Sequence, residues 1–240
     1  MTLVRSAVFN LWFFGTTVLF GTMGLPARWF FPHWALWIAQ HWAKTVLWGA
    51  ETFCGIHTVV IGRENLPDGA ALIASQHQSA FDTIIWLHLA SRVSYVFKAE
   101  LAKVPLFGPL LVPAGQIPLD RGGSFSAVRS LLRGADRAKA DGRQMVIFPE
   151  GTRVAVGAEV ELRPGFALMA ARTGLPVIPV ATDSGRLWGR RAFRKHPGDV
   201  HIMIGEPIPS NVGQAEMLAT VQRRWNEAHA RLDAVDKSVD

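Results

Sequence analysis

Two apolar segments occupy the first fifty residues. Residues 7–25 are almost continuously apolar, and no charged residue lies between Arg5 and Arg28. A helix needs about 20 residues to cross a bilayer core, so this segment is barely of spanning length. The second segment, 33–49, carries its few polar residues along one narrow helical face, which is typical of a helix lying in a membrane interface. We therefore predict a two-helix membrane-associating hairpin over residues 1–50.

Tryptophan is concentrated in the same region. Indole rings favour the headgroup depth of a bilayer, and cationic side chains are drawn to anionic lipids. The region holds six of the nine tryptophans, and its only charges are basic: Trp12, Trp29, Trp34, Trp37, Trp42 and Trp48, with Arg5, Arg28 and Lys44. A hairpin buried in the protein core is one alternative. A cleaved signal peptide is another, but no clear small-x-small cleavage site precedes a polar start.

Beyond Glu51 the pattern changes, and short β-branched runs alternate with helical stretches. The runs predict strands at residues 57–62, 70–75, 93–98, 144–148, 177–181 and 200–205. Helices are predicted at residues 79–90, 124–140, 164–173 and, as an amphipathic C-terminal helix, 213–235. Alternation of this kind is typical of a sheet whose faces are covered by helices. We predict an α/β domain over residues 51–240 with a mixed, largely parallel sheet.

The charge balance favours anionic partners. The chain carries 25 basic and 19 acidic residues, a formal charge of +6. An anionic bilayer, nucleic acid or a phosphorylated small molecule would each satisfy this charge, and the apolar N-terminal region favours the bilayer. Cys54 is the single cysteine, which excludes an intramolecular disulfide and favours a reducing compartment.

Polar motifs directly follow three of the predicted strands. They are 76–82 (Gln-His-Gln-Ser-Ala-Phe-Asp), 98–101 (Lys-Ala-Glu-Leu) and 149–153 (Pro-Glu-Gly-Thr-Arg). In α/β sheets, functional residues gather on loops beyond the carboxyl ends of the strands. In the first motif, His77 can act as a general base if the carboxylate of Asp82 fixes its tautomer and stabilises the imidazolium.

The spacing of His77 and Asp82 requires a turn between them. On an unbroken helix, residues five apart are rotated by about 140°, so the two side chains could not meet. Ser79 and Asp82 have the spacing of a capping box, which would begin a helix there. The alternative is that Asp82 only caps a helix and His77 is an ordinary loop histidine, the commoner outcome for an isolated match.

Further motifs follow in a fixed order. They are Lys98-x-Glu100-Leu101 through Pro105, Gly108, Gly115, Ile117 and Arg121; then Phe148 to Arg153; then Val177-Ile178-Pro179-Val180. Together with His77-x4-Asp82, this set resembles the 1-acylglycerol-3-phosphate acyltransferase family over about residues 55–210. The combination is far more specific than any one of its motifs.

The resemblance implies an α/β acyltransferase domain behind an N-terminal two-helix membrane element. It implies that His77 deprotonates the hydroxyl of a lysophospholipid, which attacks an acyl thioester carried on acyl carrier protein or coenzyme A. Asp82 would orient and support His77. The thioester would be a co-substrate, and no covalent acyl-enzyme and no bound cofactor would be required.

The resemblance also implies a site for the phosphate and glycerol end of the acceptor. Its residues would be Arg121, Glu150, Gly151, Thr152 and Arg153. Guanidinium groups bind phosphate oxygens bidentately, Gly151 would let the backbone approach and offer an N–H, and Glu150 would orient Arg153 or accept from a hydroxyl. Lys98 would line the site or shield the thioester oxyanion. The alternative for the two arginines is an ordinary surface position.

The sequence departs from the family pattern at Gln76. Many members have asparagine before the motif histidine, and glutamine moves the amide by one methylene, so the role of this side chain is open. Residues 154–162 are also poorer in proline and lysine than the family pattern leads us to expect, which leaves the details of acceptor binding open.

Other chemistry is not supported by the sequence. It contains no HExxH motif, cysteine pair, Asp-rich loop or G-x-S-x-G elbow, so we predict no metal and no serine hydrolase. His88 and His201 lie in apolar surroundings and are expected to be structural. A basic stretch, 186–196, surrounds Trp188 and Phe193; it fits a bilayer-facing loop, a dock for an acidic carrier protein, nucleic acid or a solvated loop.

We therefore predict an enzyme that acylates 1-acylglycerol-3-phosphate to phosphatidic acid in phospholipid biosynthesis. We expect it at a membrane, on the cytoplasmic face of a bacterial inner membrane, with a lipid acceptor and no nucleic-acid partner. Another lysolipid, such as a lyso-aminolipid, is the alternative acceptor. The alternative from another class is a non-catalytic membrane-docked binding module, although such a module needs no histidine–aspartate pair.

Overall fold

A computed structural model describes residues 1–31, 34–120, 125–158 and 160–239. The helices are α1 (Thr2–Phe30), α2 (Trp34–Gly49), α3 (Phe81–Leu89), α4 (Gly108–Leu111), α5 (Phe125–Ala140), α6 (Gly165–Thr173), α7 (Ser184–Leu187) and α8 (Gln214–Val239). The strands are β1 (Ile56–Ile61), β2 (Ala71–Ser75), β3 (Val93–Lys98), β4 (Ile117–Leu119), β5 (Gln144–Ile147), β6 (Val177–Thr182) and β7 (Gly198–Ile204). A π-helical turn, Ala50–Cys54, and two 3₁₀ turns, Arg63–Asn65 and Ala99–Lys103, complete the elements.

The seven strands form one sheet in the order β1-β7-β6-β2-β5-β3-β4. Every neighbouring pair is parallel except β6 and β7, which are antiparallel. Strand β2, at the centre, is buried along its whole length. Near-continuous apolar runs of this kind are what a sheet covered on both faces requires. The prediction of a mixed, largely parallel α/β sheet is confirmed.

The strand order places a topological switch between the neighbours β2 and β5. The chain leaves β2 toward β3 on one side and leaves β5 toward β6 on the other. Open α/β sheets bind ligands in the crevice at such a point, beyond the carboxyl ends of the strands. The loops that carry the first and third polar motifs follow β2 and β5, so the fold brings them together in this crevice.

Helices cover the two faces of the sheet. One face packs against α1, α2 and α3, and its core includes Trp86, which is fully buried and donates its indole N–H to Ser75 Oγ at 3.1 Å. The other face packs against α5, α6 and α8, with Phe166 and Trp225 in its core. Each of these aromatic side chains removes a large apolar area from water, and burial is worth about 25 cal/mol per Å².

Helix α1 lies along the α/β domain over most of its length. Near one end, Ser6 Oγ accepts a hydrogen bond from the backbone N–H of Lys195; near the other, Gly24 packs against Leu110. At 1.5 Å per residue these contacts are about 27 Å apart. Residues of α1 and α2 belong to the same apolar core as the sheet, among them Phe9, Ala43 and Val46.

The opposite face of α1 is apolar and exposed. Its exposed side chains include Leu3, Val4, Val8, Leu11, Phe14, Val18, Leu19 and Met23. In the described part of the chain, Thr2–Pro26 is the one helical stretch long and apolar enough to cross a membrane, and few of its residues are buried. A helix with one face packed on the protein and an apolar face left exposed is suited to membrane contact.

Several features of the fold were not predicted, among them the short helices α4 and α7. Strand β4 is only three residues long and contains Pro118, so it has neither the length nor the β-branched run that marks a strand. The first helix extends well beyond residues 7–25, because it begins at Thr2 and continues past Pro26. Apolar periodicity locates the middle of an element better than its ends.

Candidate active site

The loop after β5 holds the backbone of His77 from both sides. The carboxylate of Glu150 accepts from the His77 N–H at 2.9 Å, and the His77 carbonyl accepts from the Val154 N–H at 2.8 Å. The imidazole ring stacks on Phe148, with ring centroids 4.1 Å apart. The loop after β5 therefore fixes the candidate base through three residues: Glu150, Val154 and Phe148.

His77 and Asp82 meet as the sequence analysis expects. The chain turns after His77, and Asp82 lies in the first turn of α3 with its Oδ2 3.3 Å from His77 Nδ1. A proton on Nδ1, shared with this carboxylate, leaves the lone pair on Nε2 available to accept a proton. The distance is long for a hydrogen bond, but such contacts often shorten only when substrate binds.

Asp82 is almost fully buried, at 1% exposure, and several donors satisfy its carboxylate. Oδ2 accepts from the backbone N–H groups of Gln78 and Ser79 at 2.6 and 2.8 Å. Ser79 Oγ in turn accepts from the Phe81 N–H at 2.9 Å. The bond from Ser79 N–H to Asp82 is the return half of the capping box, so Asp82 begins the helix and faces the base at once.

Ser184 is a site residue that the sequence analysis missed. Its side chain is fully buried, and its hydroxyl donates to Asp82 Oδ1 at 2.5 Å. Ser184 follows β6, the neighbour of β2, so it also lies at the carboxyl edge of the sheet. Its position just after the fourth motif was the only available signal, because 102 residues separate it from Asp82.

Glu150 occupies an unusual position for a carboxylate. It is only 6% exposed, and burial raises its pKa to about 7, although hydrogen bonds from the His77 and Glu150 backbones oppose the shift. Its Oε2 is buried and has no hydrogen-bond partner among the described residues. Among the described residues Glu150 forms no ion pair with Arg153, and its side chain bonds the backbone N–H of His77 instead.

The turn after Glu150 requires glycine. Gly151 has φ +69°, and a Cβ there would lie 2.6 Å from Arg163 Nε. The sequence analysis expected its N–H to be offered to the acceptor; in the structure this N–H donates to the Phe148 carbonyl at 2.9 Å and closes the turn. Thr152, next along, is exposed at the rim.

Arg153 lies beside the base. Burial lowers its pKa, the charge of Asp82 opposes this, and the nearby cations Arg190 and Arg191 reinforce it. The loop after β6 reaches the same place, because Arg190 Nη1 lies 3.4 Å from the Arg153 carbonyl. An arginine remains charged in such surroundings, so this rim of the crevice is cationic.

Two predicted binding residues are not placed beside His77. Arg121 lies outside the described residues. Lys98 lies at the end of β3, two strands from β2, and its ammonium pairs with Glu100 at 3.2 Å while its side chain is 45% exposed. A role for either residue in acceptor or oxyanion binding stays a prediction.

Gln76 has a structural use for its extra methylene. Its Oε1 accepts from the Thr182 N–H at 3.1 Å and from His229 Nε2 at 2.8 Å. These bonds tie the loop before His77 to β6 and to the C-terminal helix α8. The contact to His229, 153 residues away, has no signature in the sequence pattern.

A second histidine–aspartate pair lies near the first. His201, on β7, places Nδ1 2.8 Å from Asp183 Oδ2, and its own backbone N–H donates to Asp183 Oδ1 at 2.7 Å. Both bonds join the end of β6 to its antiparallel neighbour β7. The pair joins β6 to β7, and His201 therefore faces a buried carboxylate rather than the apolar surroundings expected from the sequence.

Comparison with known proteins places this site in a family. The acyltransferase family model matches residues 57–183, more than half of the chain and the whole span from β1 to Asp183. This chain belongs to the acyltransferase family. The match contains His77, Asp82, Glu150 and Arg153, so the resemblance inferred from the motifs is confirmed.

Relatives extend the similarity beyond that span. The 1-acyl-sn-glycerol-3-phosphate acyltransferase of Pseudomonas aeruginosa is 29% identical over 98% of this chain and 94% of its own length. The chloroplastic 1-acyl-sn-glycerol-3-phosphate acyltransferases BAT2 of Brassica napus and LPAT1 of Arabidopsis thaliana are 33% and 30% identical. They match 63% and 78% of this chain, which spans only 45% and 51% of their lengths.

The fold is similar to a solved structure. The crystal structure of the 1-acyl-sn-glycerophosphate acyltransferase from Thermotoga maritima matches with a TM-score of 0.78 over 98% of both chains, at 24% identity. The whole arrangement of sheet, helices and N-terminal helix pair is therefore that of an acyltransferase already known in three dimensions.

Proposed function

We propose that this acyltransferase transfers an acyl group from a thioester to the free sn-2 hydroxyl of 1-acylglycerol-3-phosphate and so produces phosphatidic acid. The observation that carries the proposal is the His77–Asp82 pair beside the Arg153 cation, which combines a base with an anion-binding rim. The relatives from Pseudomonas, Brassica and Arabidopsis, all named for this reaction, support the choice of acceptor.

In the proposed reaction, His77 Nε2 accepts the proton of the acceptor hydroxyl as its oxygen attacks the thioester carbonyl. The imidazolium that forms is stabilised by Asp82, whose carboxylate is held by Ser184 and by two backbone N–H groups. The tetrahedral intermediate then collapses, the C–S bond breaks, and the leaving thiolate takes the proton from His77. No group of the protein is acylated at any stage.

The phosphate of the acceptor is proposed to bind at the cationic rim. Arg153 directly precedes Val154, whose N–H donates to the His77 carbonyl, and Arg190 and Arg191 add positive charge from the loop after β6. A guanidinium fork matches two phosphate oxygens. Arg121, Thr152 and Lys98 are proposed as further contacts, from the family resemblance. The donor is proposed to be acyl carrier protein or coenzyme A thioester.

We also propose that α1 and α2 hold the enzyme against the cytoplasmic face of a membrane. Since α1 contacts the domain near both of its ends, it cannot cross a bilayer while the domain stays in water. Its exposed apolar face would instead enter one leaflet, which places the domain at the surface where a lysophospholipid resides.

The reaction is tested with detergent-purified protein, an acyl thioester and 1-acylglycerol-3-phosphate, by following thiol release and identifying phosphatidic acid by mass. We expect thiol release only when the acceptor is present. Thioesters of acyl carrier protein and of coenzyme A should both act as donors, at different rates. Release without acceptor would indicate a thioesterase, and no release with any donor would indicate a binding module.

The acceptor is tested with Arg153→Gln and a panel of lysolipids. We expect KM for 1-acylglycerol-3-phosphate to rise about tenfold, because a charged hydrogen bond contributes roughly 1.5–3 kcal/mol. Arg172→Gln, which removes a similar charge from an exposed pair with Asp136, is the matched control. Equal activity toward a lyso-aminolipid, or an unchanged KM in Arg153→Gln, would contradict the proposed acceptor.

A further inference from the structure

A buried lysine, Lys195, fixes the loop that follows α7. Lys195 is only 4% exposed, and its ammonium donates to Asn10 Oδ1 at 2.5 Å and to the carbonyls of Ala192 and Phe193, each at 3.1 Å. The ammonium also lies 5.3 Å from the ring centre of Trp188. These contacts satisfy the lysine with neutral acceptors, and they hold residues 189–194 in one conformation against the domain.

The same loop is bonded to α1. Asn10 Nδ2 donates to the Phe193 carbonyl at 3.1 Å, and Ser6 Oγ accepts from the Lys195 N–H at 2.9 Å. Phe14, one turn along from Asn10 on the same side of the helix, is 63% exposed. The loop therefore borders the exposed apolar face of α1.

The side chains that the loop presents are an aromatic ring and cations. Phe193 is 54% exposed although its backbone is held on both sides, and Arg190, Arg191 and Arg194 around it are exposed too. Arg191 is held at φ +57°, a conformation that few non-glycine residues adopt. An exposed phenylalanine among arginines, next to an apolar helix face, has the composition of a membrane-interface segment.

We propose that residues 189–194, the arginine loop, form a second contact with an anionic lipid surface, separate from the two N-terminal helices. The Phe193 ring enters the boundary between headgroups and acyl chains, and Arg191 and Arg194 bind lipid phosphates. The proposal rests on the membrane association proposed above. It is favoured over an acidic protein partner because the loop continues the apolar face of α1.

The arginine loop would also orient the active site. Arg190 Nη1 contacts the Arg153 carbonyl, so the loop links the membrane surface to the cationic rim of the crevice. With α1 and the loop both on the bilayer, the rim faces the lipid surface and an acceptor can enter without crossing water. The loop therefore acts on uptake of membrane-borne acceptor and not on the chemical step.

The test is co-sedimentation of the full chain with vesicles of phosphatidylcholine containing a third phosphatidylglycerol, compared with pure phosphatidylcholine. The variants are Phe193→Ser and Arg194→Gln, alone and together, since neither residue belongs to the catalytic machinery. We expect the double variant to bind the anionic vesicles at least about tenfold more weakly, because it loses both a cation at the lipid surface and an inserted aromatic ring. Phe193→Leu should bind like the wild type.

Turnover separates this proposal from the proposed reaction. We expect the double variant to match the wild type on 1-acylglycerol-3-phosphate in detergent micelles and to be several-fold slower when the acceptor is in vesicles. Arg137→Gln, which removes an exposed charge from α5 on the opposite face of the sheet, should change neither. If the wild type is inactive in micelles, the proposed reaction fails, while the binding measurement still decides the role of the loop.

Three outcomes would overturn the proposal. The first is unchanged binding of the double variant to anionic vesicles. The second is an equal loss of turnover in micelles and vesicles, which would place the loop in the active site or in the stability of the fold. The third is normal vesicle binding with a raised KM for acyl carrier protein thioester, which would assign the loop to an acidic protein partner.

Discussion

Two histidine–aspartate pairs lie close together at the same sheet, and the shorter bond belongs to the pair that joins the strands β6 and β7. His201 and Asp183 are 2.8 Å apart, whereas His77 and Asp82 are 3.3 Å apart. Burial does not distinguish the pairs either. The side chains of His77 and His201 are 14% and 23% exposed, and both aspartate side chains are almost fully buried.

The surroundings separate them. His201 belongs to strand β7 and bonds Asp183 through both its ring and its backbone, so the pair joins two strands. His77 lies on a loop beyond β2 and stacks on Phe148. The same region holds the cation of Arg153 and the carboxylate of Glu150, whose Oε2 has no hydrogen-bond partner among the described residues. A base needs space and charge for a substrate around Nε2, and a short bond at Nδ1 does not supply them.

The sharpest test of this comparison replaces the two histidines. His77→Ala should lower kcat by at least about 10³-fold, because the general base is lost while binding groups remain. His201→Ala should retain most of the activity and lose stability instead. Steady-state kinetics and thermal unfolding of both variants test this difference. Comparable losses of kcat in His77→Ala and His201→Ala would show that the two histidines do not differ in role.

The aspartates give the next largest difference. Asp82→Asn keeps the size of the side chain but cannot stabilise an imidazolium, so we expect kcat to fall by about 10²–10⁴-fold. Asp183→Asn should act mainly on the free energy of unfolding. Circular dichroism confirms folding in each case. An active Asp82→Asn enzyme would mean that Asp82 serves only as a helix cap.

Glu150 bonds the backbone of His77, and we expect replacing it to act mainly on stability. Since its folded pKa, about 7, is raised above its ordinary value, the folded protein binds the extra proton more tightly. The resulting stability is present below about pH 4.5 and is lost as pH rises through 7. Compared with Glu150→Gln, the wild type should lose up to about 3 kcal/mol of unfolding free energy over that window. Parallel denaturation curves for the two proteins from pH 5 to 8 would contradict this.

Ser184 gives the smallest expected effect. Ser184→Ala removes one donor from Asp82 and leaves the two backbone donors, so we expect a fall in kcat of about tenfold with little change in KM. Ser184→Thr, which keeps the hydroxyl, should restore part of the rate. A variant that loses thermal stability at unchanged kcat would show that Ser184 serves packing and does not position Asp82.

Periodicity and motif position determined much of this protein in advance. Six of the seven strands, the longer helices between them and the loops that carry His77, Asp82, Glu150 and Arg153 follow from apolar runs and from the polar residues directly after them. These signals are local. A strand that is buried on both faces must be apolar, and polar residues on the loop directly after it indicate a binding or catalytic function.

Other features depend on contacts between distant parts of the chain. Ser184 reaches Asp82 across 102 residues, His229 reaches Gln76 across 153, and Lys195 holds a loop against Asn10 across 185. No local pattern records such partners. Only the strand order, which sets β6 beside β2, brings Ser184 to the carboxylate.

The sequence by itself determined the candidate site, because His77, Asp82 and the turn that carries Arg153 each lie in a short motif of fixed spacing. The tertiary structure placed His77 and Asp82 at the crevice beyond β2, and it placed His201 and Asp183 where they join β7 to the end of β6. It also decided that Glu150 holds the His77 backbone and that α1 lies along the domain. These outcomes depend on which elements pack together, and packing is set by the whole chain at once.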